Sequence, residues 1–140
     1  MKNARYAIVL ASLITAALVG TGFAQTSIPY PLKANIPFDF QVGNNVMPAG
    51  EYQLEPLSST LLIRSTENSA HAAMILVGVC RSLKEQEKSK LVFHKYGSNY
   101  FLSNIWVAGE TAGSEVPASN REKEIARSGG ATEVALLLRR

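Results

Sequence analysis

The stretch Ala34-Asn35-Ile36-Pro37-Phe38-Asp39-Phe40-Gln41-Val42 sets Ala34, Ile36, Phe38, Phe40 and Val42 against Asn35, Pro37, Asp39 and Gln41 in strict alternation. Successive side chains of a strand point to opposite faces, so this period of two describes a β-strand with one buried and one wet face. Pro37 has no N–H to give to a ladder, which predicts an edge position or a bulge at that point. Gly43-Asn44-Asn45 ends the run.

Working outward, Met47-Pro48-Ala49-Gly50 has the residues of a tight turn, with Pro48 presetting φ at its second position. Alternation resumes through Glu51–Glu55, which turns Tyr52 and Leu54 inward, and a third strand is expected over Thr60–Ser65. His71–Val79 is a near-continuous apolar run and reads as a central strand, with Ala72 and Ala73 leaving a helix open. Ser82–Ser89 is charged and reads as a solvated loop or a single helical turn. Leu91–Tyr96 and Tyr100–Val107 are aromatic-rich strands about Gly97-Ser98, a pair that suits a type II′ hairpin. That register sets Phe93 opposite Leu102 and His94 opposite Phe101, and simple alternation puts Trp106 on the Leu102 face.

Residues 109–118 are small and polar and are expected to form a mobile loop. Ser119 with Glu122 has the spacing of a capping box, so a short polar helix is predicted over 119–128, stopping at Gly129-Gly130. Residues 132–138 read as a last strand, the alternative being a loosely docked tail. Short strands separated by turn signals predict an all-β domain over 25–140, a β-sandwich in preference to a partly closed barrel.

The start of the chain has a different character. Lys2 and Arg5 precede an apolar stretch, Ala7–Val19, interrupted by Ser12 and Thr15, and Gly22-Phe23-Ala24 then gives the small-x-small pattern that signal peptidase reads. Residues 1–24 are therefore expected to be a signal peptide, cleaved between Ala24 and Gln25, the alternative being an uncleaved anchor helix. The expected location is the periplasm or the medium, with membrane contact only through the signal segment. Removing Lys2 and Arg5 from the 14 Lys and Arg leaves 12 against 11 Asp and Glu, so the apparent charge of +3 falls almost to neutrality. No basic stripe of the kind that binds nucleic acid remains. Cys80 is the single cysteine, so no internal disulfide is available; it is expected to be a buried thiol.

Catalytic material is sparse. A hydrolytic triad would need Asp39, His94 and a serine to converge, and no nucleophile-elbow, Walker or H-E-x-x-H motif is present. His71, His94 and Cys80 lack the spacing of a metal site, and no cofactor is expected. Glu85 with Glu87 and Glu122 with Glu124 read as solvated faces. The aromatic residues carry one alternative to core packing: Tyr96, Tyr100 and Trp106 on the hairpin 91–107 could stack on a sugar or another ligand, with Tyr100 the best placed for exposure.

Two blocks carry a resemblance. Ile36-Pro37-Phe38-Asp39-Phe40-Gln41-Val42-Gly43 followed by Pro48-Ala49-Gly50-Glu51-Tyr52 resembles the IPFDF-x-VG … PAGxY signature of a group of small exported bacterial proteins of unknown function, and the segments Leu91–Gly97 and Tyr100–Trp106 look like that group's second block. The resemblance implies export and, through the PAGxY turn, a β-sandwich; it transfers no functional residue. The expectation is thus a non-enzymatic interaction module whose partner is a protein or an envelope component, with a ligand-binding domain second and a hydrolase third.

Overall fold

Pro37 divides the alternating strand in two and sends its halves into different sheets. The computed structural model describes residues 31–139 of the chain; the signal segment, Ala24 and Gln25 lie outside the described residues. In chain order the elements are β1 (Leu32–Ile36), β2 (Phe40–Val42), β3 (Asn45–Met47), β4 (Gly50–Pro56), β5 (Thr60–Ser65), β6 (Ala72–Leu76), β7 (Gly78–Arg81), β8 (Lys90–Tyr96), β9 (Asn99–Trp106), β10 (Ala112–Glu115), α1 (Asn120–Ala126) and β11 (Thr132–Leu137). One sheet runs β1-β4-β5-β6 and the other β11-β8-β9-β10-β7, with β2 parallel to β9 at Gln41↔Phe101 and β3 hairpinned onto β2. β1 is an edge strand, as a proline at its end requires.

The fold is an all-β sandwich without barrel closure. Ile36, Leu54, Leu61 and Ile63 from the first sheet meet Leu91, Phe93, Leu102 and Ile105 from the second. Fully burying each such side chain contributes roughly 1.5–3 kcal/mol, which lets this domain hold together without a disulfide. Phe38 and Phe40, on either side of Asp39, both meet Phe93 edge-on, at 5.2 and 5.6 Å between ring centroids. The strand change at Pro37 thereby wedges an aromatic pair into the joint between the sheets.

The two halves of the first signature block hold each other. Asp39 Oδ1 accepts the N–H of Ala49 at 2.8 Å, and the buried Tyr52 donates its hydroxyl to the Pro48 carbonyl at 2.6 Å. The aspartate of the IPFDF half thus pins the PAGxY turn, and the tyrosine of that turn closes it from inside. Both contacts are architectural.

Several sequence expectations are corrected. His71–Val79 is not a central strand: Val77 splits it into β6 and β7, each at the edge of its own sheet. Residues 109–118 are not a loop throughout, because β10 pairs with β9 on one side and β7 on the other. Their small side chains fit that place: a Cβ on Gly113 would lie 2.6 Å from Trp106 Cε3 and 2.8 Å from the Ile105 carbonyl oxygen. Trp106 does not share the Leu102 face. The register steps between Val92↔Asn104 and Phe93↔Leu102, which leaves Ser103 as an extra residue on β9, and such a bulge reverses the alternation beyond it. Leu102 and Ile105 therefore both face the core, and Trp106 faces out. The hairpin register at Phe93↔Leu102 and His94↔Phe101 is as expected. Gly97 has φ of +60° and Ser98 does not have a positive φ, the combination of a type II′ turn. Residues 132–137 form β11, a strand and not a tail.

Candidate functional site

Helix α1 lies over the outer face of the larger sheet, where one side-chain cluster fixes it. Ser119 is its N-cap, and its Oγ accepts the N–H of Glu122 at 3.1 Å, the expected half of a capping box. The other half is diverted: the Glu122 carboxylate turns to the sheet. Glu122 is 5% exposed, with Oε1 at 2.9 Å from His94 Nδ1 and 3.4 Å from the Tyr96 hydroxyl. A carboxylate only accepts, so the imidazole proton sits on Nδ1 and the phenol also donates. Burial first, and then the Glu122 charge, push the Tyr96 phenol above its ordinary value. The reading of Glu122 as part of a solvated face is thus corrected. A buried carboxylate needs partners, and its partners come from a hairpin 28 and 26 residues upstream, beyond the reach of local pattern.

A histidine held at Nδ1 by a carboxylate has the orientation of a general base. Among the described residues, the partnership of His94 with Asp39 that a triad needs is not formed. Asp39 is engaged by Ala49 at the opposite signature turn, and His94 is engaged by Glu122. Among the described residues, no three His, Cys, Asp or Glu side chains are grouped to hold a metal ion. His71 lies at the turn before β6, where its N–H donates to the Asn68 carbonyl and its own carbonyl accepts from Ser65. Cys80 is half-buried and not fully buried, with the Asn104 side-chain amide donating to its sulfur at 3.4 Å.

The three aromatic residues singled out on the hairpin do not form one platform. Tyr96 is on the outer face, beside α1. Tyr100 pairs with Lys95, the neighbour of Tyr96, and so lies on the opposite face; it stacks on Phe38 with 3.8 Å between centroids, and Lys95 Nζ stands 5.4 Å from its ring. Trp106 is on the outer face but pairs with Lys90 at the far end of β8, roughly 20 Å from Tyr96 at strand spacing. Trp106 covers Gly113.

The surface that stands out is the flank formed by β6 and β7. Met74, Leu76 and Val79 are 64, 73 and 63% exposed, and no charged side chain occurs from Ala72 to Cys80. Hydrogen bonds show which backbone groups are open here. The His71 carbonyl accepts from Ser65 and the Val77 N–H donates to Ser59, in the same register that pairs Met74 with Leu62. Odd-numbered residues of β6 therefore turn their N–H and C=O towards β5, and Ala72, Met74 and Leu76 turn theirs to the edge, which is free among the described residues. Sequence reading took the apolarity of this run for burial. The signal it missed is that a two-layer sandwich covers only one face of each strand, so a strand apolar on both faces must present one of them.

Among the described residues, no helix is long and apolar enough to cross a membrane. No protein-family model matches the chain, and searches of curated proteins and of solved structures find no match either.

Proposed function

We propose that this chain is an exported, non-enzymatic interaction module of the envelope or the surrounding medium, and that it meets its partner through β6 and β7. The observation that carries this reading is the flank itself: two sheet edges, continuous along the chain through Val77, bare among the described residues and uncharged from Ala72 to Cys80, with Met74, Leu76 and Val79 turned to solvent. Proteins blunt free edges with charge, proline or a covering element, and an apolar edge left bare is a place where another chain pairs. The candidate catalytic groups Asp39 and His94 are occupied structurally, which favours binding over chemistry: Asp39 holds a turn, and His94 with Glu122 holds a helix. Export rests on the basic, apolar and small-x-small order of residues 1–24 and on the likeness of the two signature blocks to those of exported bacterial proteins.

The test is retention of the purified protein on isolated envelope fractions. The wild type should be retained, and Leu76→Lys should be lost from them several-fold while its circular dichroism stays unchanged. Equal retention of the two proteins would end the reading. Mass determination of the protein recovered outside the cytoplasm should give a chain starting at Gln25; a chain still starting at Met1 would replace the cleaved module with a tethered one.

A further inference from the structure

We propose that the partner at β6 is a second copy of this chain, joined by antiparallel pairing of the two β6 strands about a two-fold axis through Met74. The inference rests on the reading of the flank as a binding surface and names what binds there.

The free edge is short and self-complementary. Its open N–H and C=O groups belong to Ala72, Met74 and Leu76, spaced evenly about Met74. A two-fold axis at Met74 places each of these residues opposite an open residue of the other copy, and about six main-chain hydrogen bonds form. The side chains match by size as well. Leu76 of one copy falls opposite Ala72 of the other, and the two Met74 side chains, flexible and unbranched, meet on the axis. Ala73 and Ile75 stay on the core face, so the fold need not change.

Charge separates this occupant from others. The uncharged run from Ala72 to Cys80 gives an acidic or basic partner strand nothing to pair with, whereas a copy brings no like charge against itself. Of the other edge strands, β1, β11 and β7 carry charge where this one does not, at Lys33, Glu133 and Arg81, and the uncharged β3 offers an edge of only three residues. The pairing is isologous, so it uses the β6 edge of both copies and stops at a dimer without growing into a fibre. The two four-stranded sheets would become one continuous sheet. A single short strand edge covers less than the roughly 800 Å² per partner of a standard interface, so the dimer should be weak, with a dissociation constant on the order of 10 µM.

Sedimentation velocity on the purified protein, from about 1 to about 500 µM, covers the range in which such an interface forms. The wild type should pass from monomer to dimer across this series and Met74→Leu should follow it. Met74→Lys and Met74→Glu should each weaken the dimer at least tenfold, because like charges then face each other across the axis. An equimolar mixture of the two should associate again, each charge now opposite its counterpart. Circular dichroism should show both variants folded, since the altered side chain is 64% exposed; Leu76→Lys supplies a second monomeric variant. A wild type monomeric throughout, a Met74→Lys protein that still dimerises, or a mixture that stays monomeric would each overturn the pairing. If the wild type is monomeric but Leu76→Lys still abolishes envelope retention, the self-pairing is wrong and the interaction module stands. If that variant is also retained like the wild type, both readings fall.

Discussion

Along the flank formed by β1 and β11, the end of the chain stitches the two sheets together: the Lys33 N–H donates to the Arg139 carbonyl and the Arg139 N–H to the Lys33 carbonyl, each at 2.9 Å. Along the flank formed by β6 and β7, the chain crosses between the sheets at Val77 and leaves both edges bare among the described residues. The first flank carries Lys33, Glu133 and Arg139, charges that discourage pairing with another chain, while the second is uncharged from Ala72 to Cys80. One sandwich thus ties its two edges together by a bridge on one side and holds them apart and open on the other. The contrast separates residues that keep the fold from residues that the fold presents.

If that separation is right, substitutions should sort by stability cost. The largest cost belongs to the aromatic joint that serves both flanks: Phe93→Ala removes the ring that Phe38 and Phe40 meet and should destabilise by about 3–5 kcal/mol in urea or guanidinium unfolding. Gly113→Ala should cost about 1–3 kcal/mol, because the added methyl meets the Ile105 carbonyl and the Trp106 ring, and hydrogen exchange should quicken first in β10 and β7. If exchange quickens equally in β11, the two flanks are not independent.

Tyr52→Phe should cost about 1 kcal/mol near neutral pH through the lost bond to Pro48. Its larger signature is in alkali. Burial first, with the Asp39 and Glu67 carboxylates adding to it, raises the Tyr52 phenol above the ordinary 10.0. The folded state therefore holds a proton that the unfolded chain releases. This stabilisation is complete below pH 10 and is lost as pH rises through the folded value. In the phenylalanine variant the alkaline decline should be shallower, with Tyr96 supplying what remains. At the bottom of the series, Leu76→Lys should change stability by no more than about 0.5 kcal/mol, although it alters the more exposed of the two large outward side chains of β6. A loss comparable with that of Gly113→Ala would mean that the open flank is part of the fold after all.

What could be read from the sequence follows the reach of the interactions. Alternation at Glu51–Glu55, the Gly97-Ser98 turn and the Ser119 cap are local signals, and each produced an element in its expected place, whereas the single strand expected over Ala34–Val42 is broken at Pro37 into β1 and β2, with Gln41 buried. Ser103 defeats alternation because a bulge depends on both strands: β9 passes from β2 at Phe101 to β10 at Asn104 across that residue. β10 lacks large apolar residues to announce it, and at Gly113 the Trp106 ring leaves no room for a side chain. Glu122 sits in a charged stretch that reads as solvated, and only a histidine and a tyrosine from another element make its burial tolerable. The flank was hidden for the opposite reason, since its apolarity was plain but hydropathy cannot say whether an apolar strand is covered or offered.

The position of Trp106 has a practical side. The chain has one tryptophan, and its indole rests on Gly113 at the outer face, with Cys80 next in the same cross-strand row and the bare edge of β7 beyond. Intrinsic fluorescence of this protein therefore watches the margin of the sandwich and not its centre. An event that loosens or covers β7 and β10 should shift the emission while the tyrosine and backbone signals stay still, so the molecule carries its own optical gauge of the side on which it is open.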